Sequence, residues 1–248
     1  MKKIIGIIPA RFASTRFPGK PLADIAGKPM IERVYTQAKK AKLLQEVVIA
    51  TDDARIFDAV LGFGGKVVMT NLNHKNGTER CAEVAALPAF EADGYINIQG
   101  DEPFIFPEQI DQIAALLQRE TVKIATLKRQ LFSVEDVLSP TIVKVVTAKD
   151  VALYFSRSPI PFFRNAAQEN WLSEHTFFKH IGIYGFQRET LREIIQLPES
   201  NLENAEQLEQ LRWLENGYTI HVQETDKDSF SVDVVEDVVR ILREKSKI

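Results

Sequence analysis

Short apolar runs alternate with amphipathic stretches through the first half of this chain. The runs at 3–9, 46–51, 66–69, 94–99 and 123–127 read as strands. Apolar residues without polar alternation, bounded by turn residues, predict strands covered on both faces, as in a parallel sheet. Between them a 3.6-residue period predicts helices over 30–43, 54–61, 79–87 and 107–118, with Pro107 where a first turn tolerates it. Strand and helix in alternation predict an α/β fold, a mostly parallel mixed sheet flanked by helices. From Thr141 the texture changes. Residues 141–147, 152–155, 177–186 and 218–223 predict longer or antiparallel strands, with helices over 189–196, 202–216 and 234–245. Residues 164–174 carry the least pattern and are expected to form a mobile loop. No repeat or low-complexity linker intervenes, so residues 1–248 read as a single domain, its halves meeting near residue 140.

Composition narrows the class. The chain has 248 residues, 45% of them hydrophobic and 26% charged, with a formal net charge of -3. That balance argues against a nucleic-acid binder, which would carry a basic stripe. A single cysteine, Cys81, excludes an internal disulfide and fits a reducing cytoplasm. Lys2-Lys3 before an apolar run imitates a secretory signal, but Pro9 and Arg11 cut that run too short. No stretch approaches the ~20 apolar residues of a membrane span. A soluble cytoplasmic protein is expected.

Local charge then points to chemistry. Five cations, Lys2, Lys3, Arg11, Arg16 and Lys20, precede the first acid, Asp24. Arg11, Ser14, Arg16 and Lys20 lie on an irregular Pro-Gly loop behind the first strand, where open α/β sheets bind ligands. Such a loop can converge on a polyanion, a nucleotide triphosphate being the obvious candidate. It matches neither the Walker A nor the dinucleotide fingerprint, and a solvated basic turn is the plainer alternative. Asp101, after the apolar run ending Asn97-Ile98-Gln99-Gly100, stands where a Mg²⁺ ligand is useful; it also reads as a turn former. Asp233 offers a second acid, or, with Glu236 three residues on, a helix cap. In Asn76-Gly77-Thr78-Glu79-Arg80, Asn76 or Thr78 can cap a helix whose first-turn Arg80 opposes the dipole. That suggests an anion nearby, against the alternative of a surface arginine. Alternation over 177–186 puts His180, Gly182 and Tyr184 on one face, with room for a ligand beside the glycine; a satisfied core histidine is the plainer alternative. On the predicted helix 202–216, Glu209 falls on an apolar surface beside Gln210. There it should meet a cation or a polyhydroxylated ligand, unless the helix is only partly buried.

In order, the segments IIPARFASTRFPGKPL, GKPMIERV, VVIATDD, NGTER, NIQGDEPFI, IVKVV, ALYFSRSPIP, HIGIYGF, LEQLRWLENG and VDVVEDV resemble the 3-deoxy-manno-octulosonate cytidylyltransferases, or CMP-Kdo synthetases. They span essentially the whole chain. The resemblance implies the nucleotide-diphospho-sugar transferase (Rossmann-like) fold. It also implies transfer of CMP from CTP to the anomeric hydroxyl of the eight-carbon sugar acid Kdo, releasing pyrophosphate, for lipopolysaccharide synthesis. Arg11, Ser14, Arg16 and Lys20 would hold phosphates, with Asn76, Gly77, Arg80 and Gln99 around the nucleotide. Asp101 and Asp233 would bind Mg²⁺ and, with Arg16 and Lys20, carry the chemistry. Gln99, Arg157, His180, Tyr184, Glu209 and Gln210 would line the sugar site. Residues 155–163 resemble the family's dimer-forming region, implying a homodimer. Two departures are mild: Val234-Val235 stands where Thr-Pro is usual, and Asn76 where a serine is often found. The rivals are a cytidylyltransferase for the 8-amino analogue of Kdo or for sialic acid, a glycosyltransferase, and a catalytically dead nucleotide sensor.

Overall fold

Ile4, Ile5, Ile7 and Ile8 are wholly shielded from solvent, and they make the first apolar run the central strand of its unit. The computed structural model describes residues 1–13, 17–228 and 230–238. These fall into two compact units: the described residues of Met1–Ala115 and Ser229–Ile248, and Leu116–Asp228. In the first unit β1 (Ile4–Ala10) lies between β2 (Glu46–Thr51) and β4 (Gly94–Asn97), and β2 pairs onward with β3 (Val67–Met69). All of these pairings are parallel, as uninterrupted apolar runs require. Helices α1 (Met30–Ala38), α2 (Ala54–Gly62), α3 (Gly77–Ala86) and α4 (Pro107–Leu117) follow the loops behind these strands. Helix α3 turns Cys81, Ala82, Val84 and Ala85 into the core. Helix α1 stops short of its predicted end at residue 43, because the backbone turns at Lys39–Ala41.

The second unit is mixed. Strand β5 (Ile124–Gln130) pairs antiparallel with β8 (Phe178–Gln187) and parallel with β9 (Ile220–Glu224). Strands β6 (Lys144–Ala148) and β7 (Val151–Ser156) continue antiparallel beyond β9, and β6 returns to β8 through Lys144 and Lys179. Two expectations need correction here. Residues 164–174 are not a featureless loop. They hold a 3₁₀ turn and the short α6 (Trp171–Glu174), anchored by the buried Trp171, which stacks on Phe177 and donates Nε1–H to the Ala166 carbonyl. The single helix expected over 202–216 is two, α8 (Asn201–Glu206) and α9 (Gln210–Glu215), parted at Gln207, whose φ is 53°. A left-handed residue ends a helix, and here it sends Leu208 inward. Helices α5 (Val134–Leu138) and α7 (Arg188–Ile194) complete the unit. The predicted terminal helix is described only at 235–238; the rest of it lies outside the described residues.

Candidate active site

The loop behind β1 closes on itself. Gly19, in the left-handed region at φ 71°, donates its N–H to the Phe12 carbonyl, and a Cβ there would strike the Phe12 ring. Phe12 in turn carries the guanidinium of Arg55 on its face. Arg11 is exposed at the loop's start; Ser14 and Arg16 lie outside the described residues. Lys20 begins the 3₁₀ turn Lys20–Leu22, and its ammonium is the hub of the cluster. It donates to Asp101 Oδ2 at 2.7 Å and to the Val232 carbonyl at 2.8 Å, and lies 3.9 Å from Asp233 Oδ1. Residues far apart in sequence are thereby brought together.

Backbone packing holds both acids in place. A Cβ on Gly100 would sit 2.5 Å from the Pro9 carbonyl oxygen, so only glycine lets the chain turn this closely past β1. The Val232 N–H donates to the Asp101 carbonyl at 2.9 Å, while the Val232 side chain is buried with Ile25 and Met30. In the capping-box reading of Asp233, the return arm to its N–H comes from Asp237 rather than Glu236. The Asp233 and Val234 N–H groups are both taken by the Asp237 carboxylate, at 2.8 and 3.1 Å. Among the described residues no group of three or more His, Cys, Asp or Glu side chains gathers around a common point. A cation here would have two carboxylates from the protein, and Mg²⁺ commonly takes one or two together with substrate phosphates. The donor set fits that ion.

Asn76 caps α3, its Oδ1 accepting from the Glu79 N–H at 2.8 Å, and Gly77 follows as the first helical residue. The anion expected beside Arg80 is the protein's own. Arg80 is 3% exposed, pairs with Asp52 at 2.6 Å, and donates also to Thr70 Oγ1 and the Asn71 carbonyl. It is therefore no surface arginine. Gln99 lies just past β4, its carbonyl accepting from the Glu102 N–H.

In the second unit His180 and Tyr184 do share a face, with ring centroids 5.1 Å apart. A Cβ on Gly182 would meet nothing within 4 Å, so open space lies beside it. His180 stands edge-on to Phe155, and Tyr184 edge-on to Trp213. Burial pushes the His180 imidazole down to about 3, so it stays neutral near pH 7. Burial, and secondarily Glu209, pushes the Tyr184 phenol well up; it remains a hydrogen-bond donor, and its buried OH has no partner among the described residues. Glu209 precedes α9 at the break rather than sitting mid-helix, and Gln210, its neighbour, is buried. Among the described residues the Arg157 guanidinium donates to the carbonyls of Glu206, Pro140 and Gln207.

Residue patterns missed the supports of this cluster. Lys144, fully buried, donates to the carbonyls of Ser139, Ile142 and Arg157. Glu206 takes the Ser156 hydroxyl and the Arg157 N–H. Thr126 reaches His180. Only Lys144 had a signal, a lone cation inside the apolar run 142–146.

Against known proteins, the cytidylyltransferase family model matches residues 5–224. A 3-deoxy-manno-octulosonate cytidylyltransferase of Parabacteroides distasonis is 52% identical over 247 residues, covering 98% of each chain. The chain belongs to the 3-deoxy-manno-octulosonate cytidylyltransferase family. A solved CMP:2-keto-3-deoxy-manno-octonic acid synthetase complexed with CTP aligns with a TM-score of 0.91 at 41% identity, covering 99% of both chains. The fold reaches further than the family. A putative glucose-1-phosphate thymidylyltransferase of Bacillus anthracis aligns with a TM-score of 0.66 at 14% identity, over 99% of this chain and 96% of that one. The chain thus has the nucleotide-diphospho-sugar transferase fold that its pattern and resemblance predicted.

Proposed function

We propose that this chain transfers CMP from CTP to the anomeric hydroxyl of Kdo, releasing pyrophosphate, in the cytoplasm and toward lipopolysaccharide. The observation that carries the reading is the convergence of Asp101 and Asp233 on the Lys20 ammonium, in a chain of this family. Relatives that bear the Kdo name at about half identity over nearly full length favour Kdo over its 8-amino analogue or sialic acid.

In this reading the first unit carries the nucleotide. Arg11, Ser14, Arg16 and Lys20 bind the triphosphate, and Asn76, Gly77 and Gln99 flank the nucleoside, with Arg80 bracing that entrance through Asp52. Asp101 and Asp233 would hold Mg²⁺, which when bound lowers the pKa of a coordinated hydroxyl and neutralises phosphate charge. The anomeric oxygen forms its bond to the α-phosphorus as the bond from that phosphorus to the oxygen bridging the β-phosphate breaks, and the hydroxyl proton passes to solvent water. Lys20 and Arg16 offset the charge that moves onto pyrophosphate. In the second unit Arg157, His180, Tyr184, Glu209 and Gln210 orient the sugar acid. No helix among the described residues is long and apolar enough to cross a membrane. Leu153 and Phe162 present apolar side chains to solvent in or beside the segment that resembles the dimer region, which supports a homodimer.

The deciding experiment measures pyrophosphate release from CTP and Mg²⁺ with Kdo, its 8-amino analogue and sialic acid side by side. Release with Kdo well above the others is expected. Silence with Kdo overturns the reading.

A further inference from the structure

The hydroxyl of Thr126, on β5, meets three polar atoms. Its Oγ1 lies 2.7 Å from the Ile183 carbonyl oxygen, 3.1 Å from that of Ile181 and 2.9 Å from His180 Nε2. A hydroxyl owns one proton and carbonyls own none. The 2.7 Å oxygen–oxygen approach is attractive only with a proton between the atoms, so Thr126 donates to a carbonyl. Its lone pairs are then what His180 meets, and Nε2 must carry the imidazole hydrogen.

The carbonyls are offered to Thr126 by a register shift. Thr126 pairs with Tyr184 but the next residue, Leu127, pairs with Ile181, which leaves Gly182 and Ile183 as extra residues on β8. A bulge of this kind re-aims groups that a regular ladder would consume. Here it turns two main-chain acceptors onto one side chain.

We propose that Thr126 is a positioning residue that fixes His180 as the Nε2–H tautomer, so that Nδ1 is presented as an acceptor to a hydroxyl of the sugar acid. The sugar-facing half rests on the function proposed above; the tautomer half does not. A neutral imidazole has one N–H, and among the described residues Nδ1 has no partner. Desolvation keeps the ring neutral in the ligand-free protein. Beside it, the Tyr184 OH retains a proton to give, and the space at Gly182 is open. An acceptor and a donor 5.1 Å apart, ring to ring, suit a polyol, which can donate to one and accept from the other.

The test uses the full chain with ¹⁵N-labelled histidine, free of ligand, and a two-bond ¹H–¹⁵N correlation that distinguishes the two neutral tautomers. His180→Gln assigns the signals among the four histidines. The wild type should show Nε2–H; Thr126→Val should lose that preference, and Thr126→Ser should restore it. An Nδ1–H signature in the wild type, or an unchanged one in Thr126→Val, overturns the tautomer assignment. If Thr126→Val does not fold, the wild-type spectrum decides alone. In turnover, Thr126→Val should raise the KM for Kdo about tenfold, the size of one misdirected hydrogen bond, with the KM for CTP unmoved. An unchanged Kdo KM beside a lost tautomer preference overturns the sugar-facing half. The spectrum needs no substrate, so failure of the Kdo reading and failure of the tautomer register in different measurements.

Discussion

Around Lys20 the first unit gathers full charges, whereas around Thr126 the second gathers neutral dipoles. The Lys20, Asp101 and Asp233 side chains are 15%, 27% and 46% exposed, so water screens each contact and each is worth about 1 kcal/mol or less. A polyanion can compete for that ammonium and a cation for those carboxylates. Thr126 and Tyr184 are buried, His180 is half-buried, and what they offer is direction rather than charge. The first cluster suits a ligand recognised by its charge. The second suits one recognised by the placement of its hydroxyls.

The comparison breaks most visibly where charge is buried. Arg80→Met would strand Asp52 and should cost about 3–5 kcal/mol in urea unfolding; an unshifted midpoint would mean that this pair is idle. Asp101→Asn should lower kcat by about 10²–10³-fold, with CTP affinity much less affected in an equilibrium titration. Near-normal turnover would remove Asp101 from the mechanism. His180 tests the neutral cluster through pH. Its folded pKa, about 3, lies below the unfolded value of 6.5, so the unfolded chain binds the extra proton. The stability this group contributes is complete above pH 6.5 and drains away as pH falls toward 3, by up to ~1.4 kcal/mol per pH unit. His180→Gln should flatten that slope, and an identical slope would show that the imidazole titrates freely. Lys20→Met should tighten Mn²⁺ binding to the nucleotide-free protein about fivefold, the equivalent of one ~1 kcal/mol contact, while weakening CTP. Looser Mn²⁺ binding would mean that the ammonium does not compete with a metal. Tyr184→Phe should change stability by less than about 1 kcal/mol, because its hydroxyl leaves no partner stranded; a larger loss in thermal unfolding would reveal one.

The parallel strands were legible because their residues have no alternative. Ile4, Ile5, Ile7 and Ile8 are all buried, and so short an apolar run closed by a proline reads as a strand covered on both faces. The break at Gln207 was illegible because apolar residues surround the predicted helix and no glycine or proline marks the turn. Trp171 was missed for a related reason: one anchor among polar neighbours makes no periodic signal. Local reasoning suggested Asp101 and Asp233 each as a ligand or a backbone device; spacing alone could not say that they meet. Arg80 was half legible, since its conflict with the helix dipole announced an anion but not that Asp52 would supply it. Thr126 left no trace, because a threonine in a strand is common and a two-residue register shift is invisible in one sequence.

The seclusion of Cys81 has a practical consequence. The chain's one thiol is fully covered in α3, so a thiol reagent reaches it only when that helix opens. Its modification rate is thus a built-in clock for fluctuations at the end of the molecule that bears Asn76. A cysteine introduced on the exterior would take a fluorescent dye alone, leaving the native sulfur unmarked on the faster timescale.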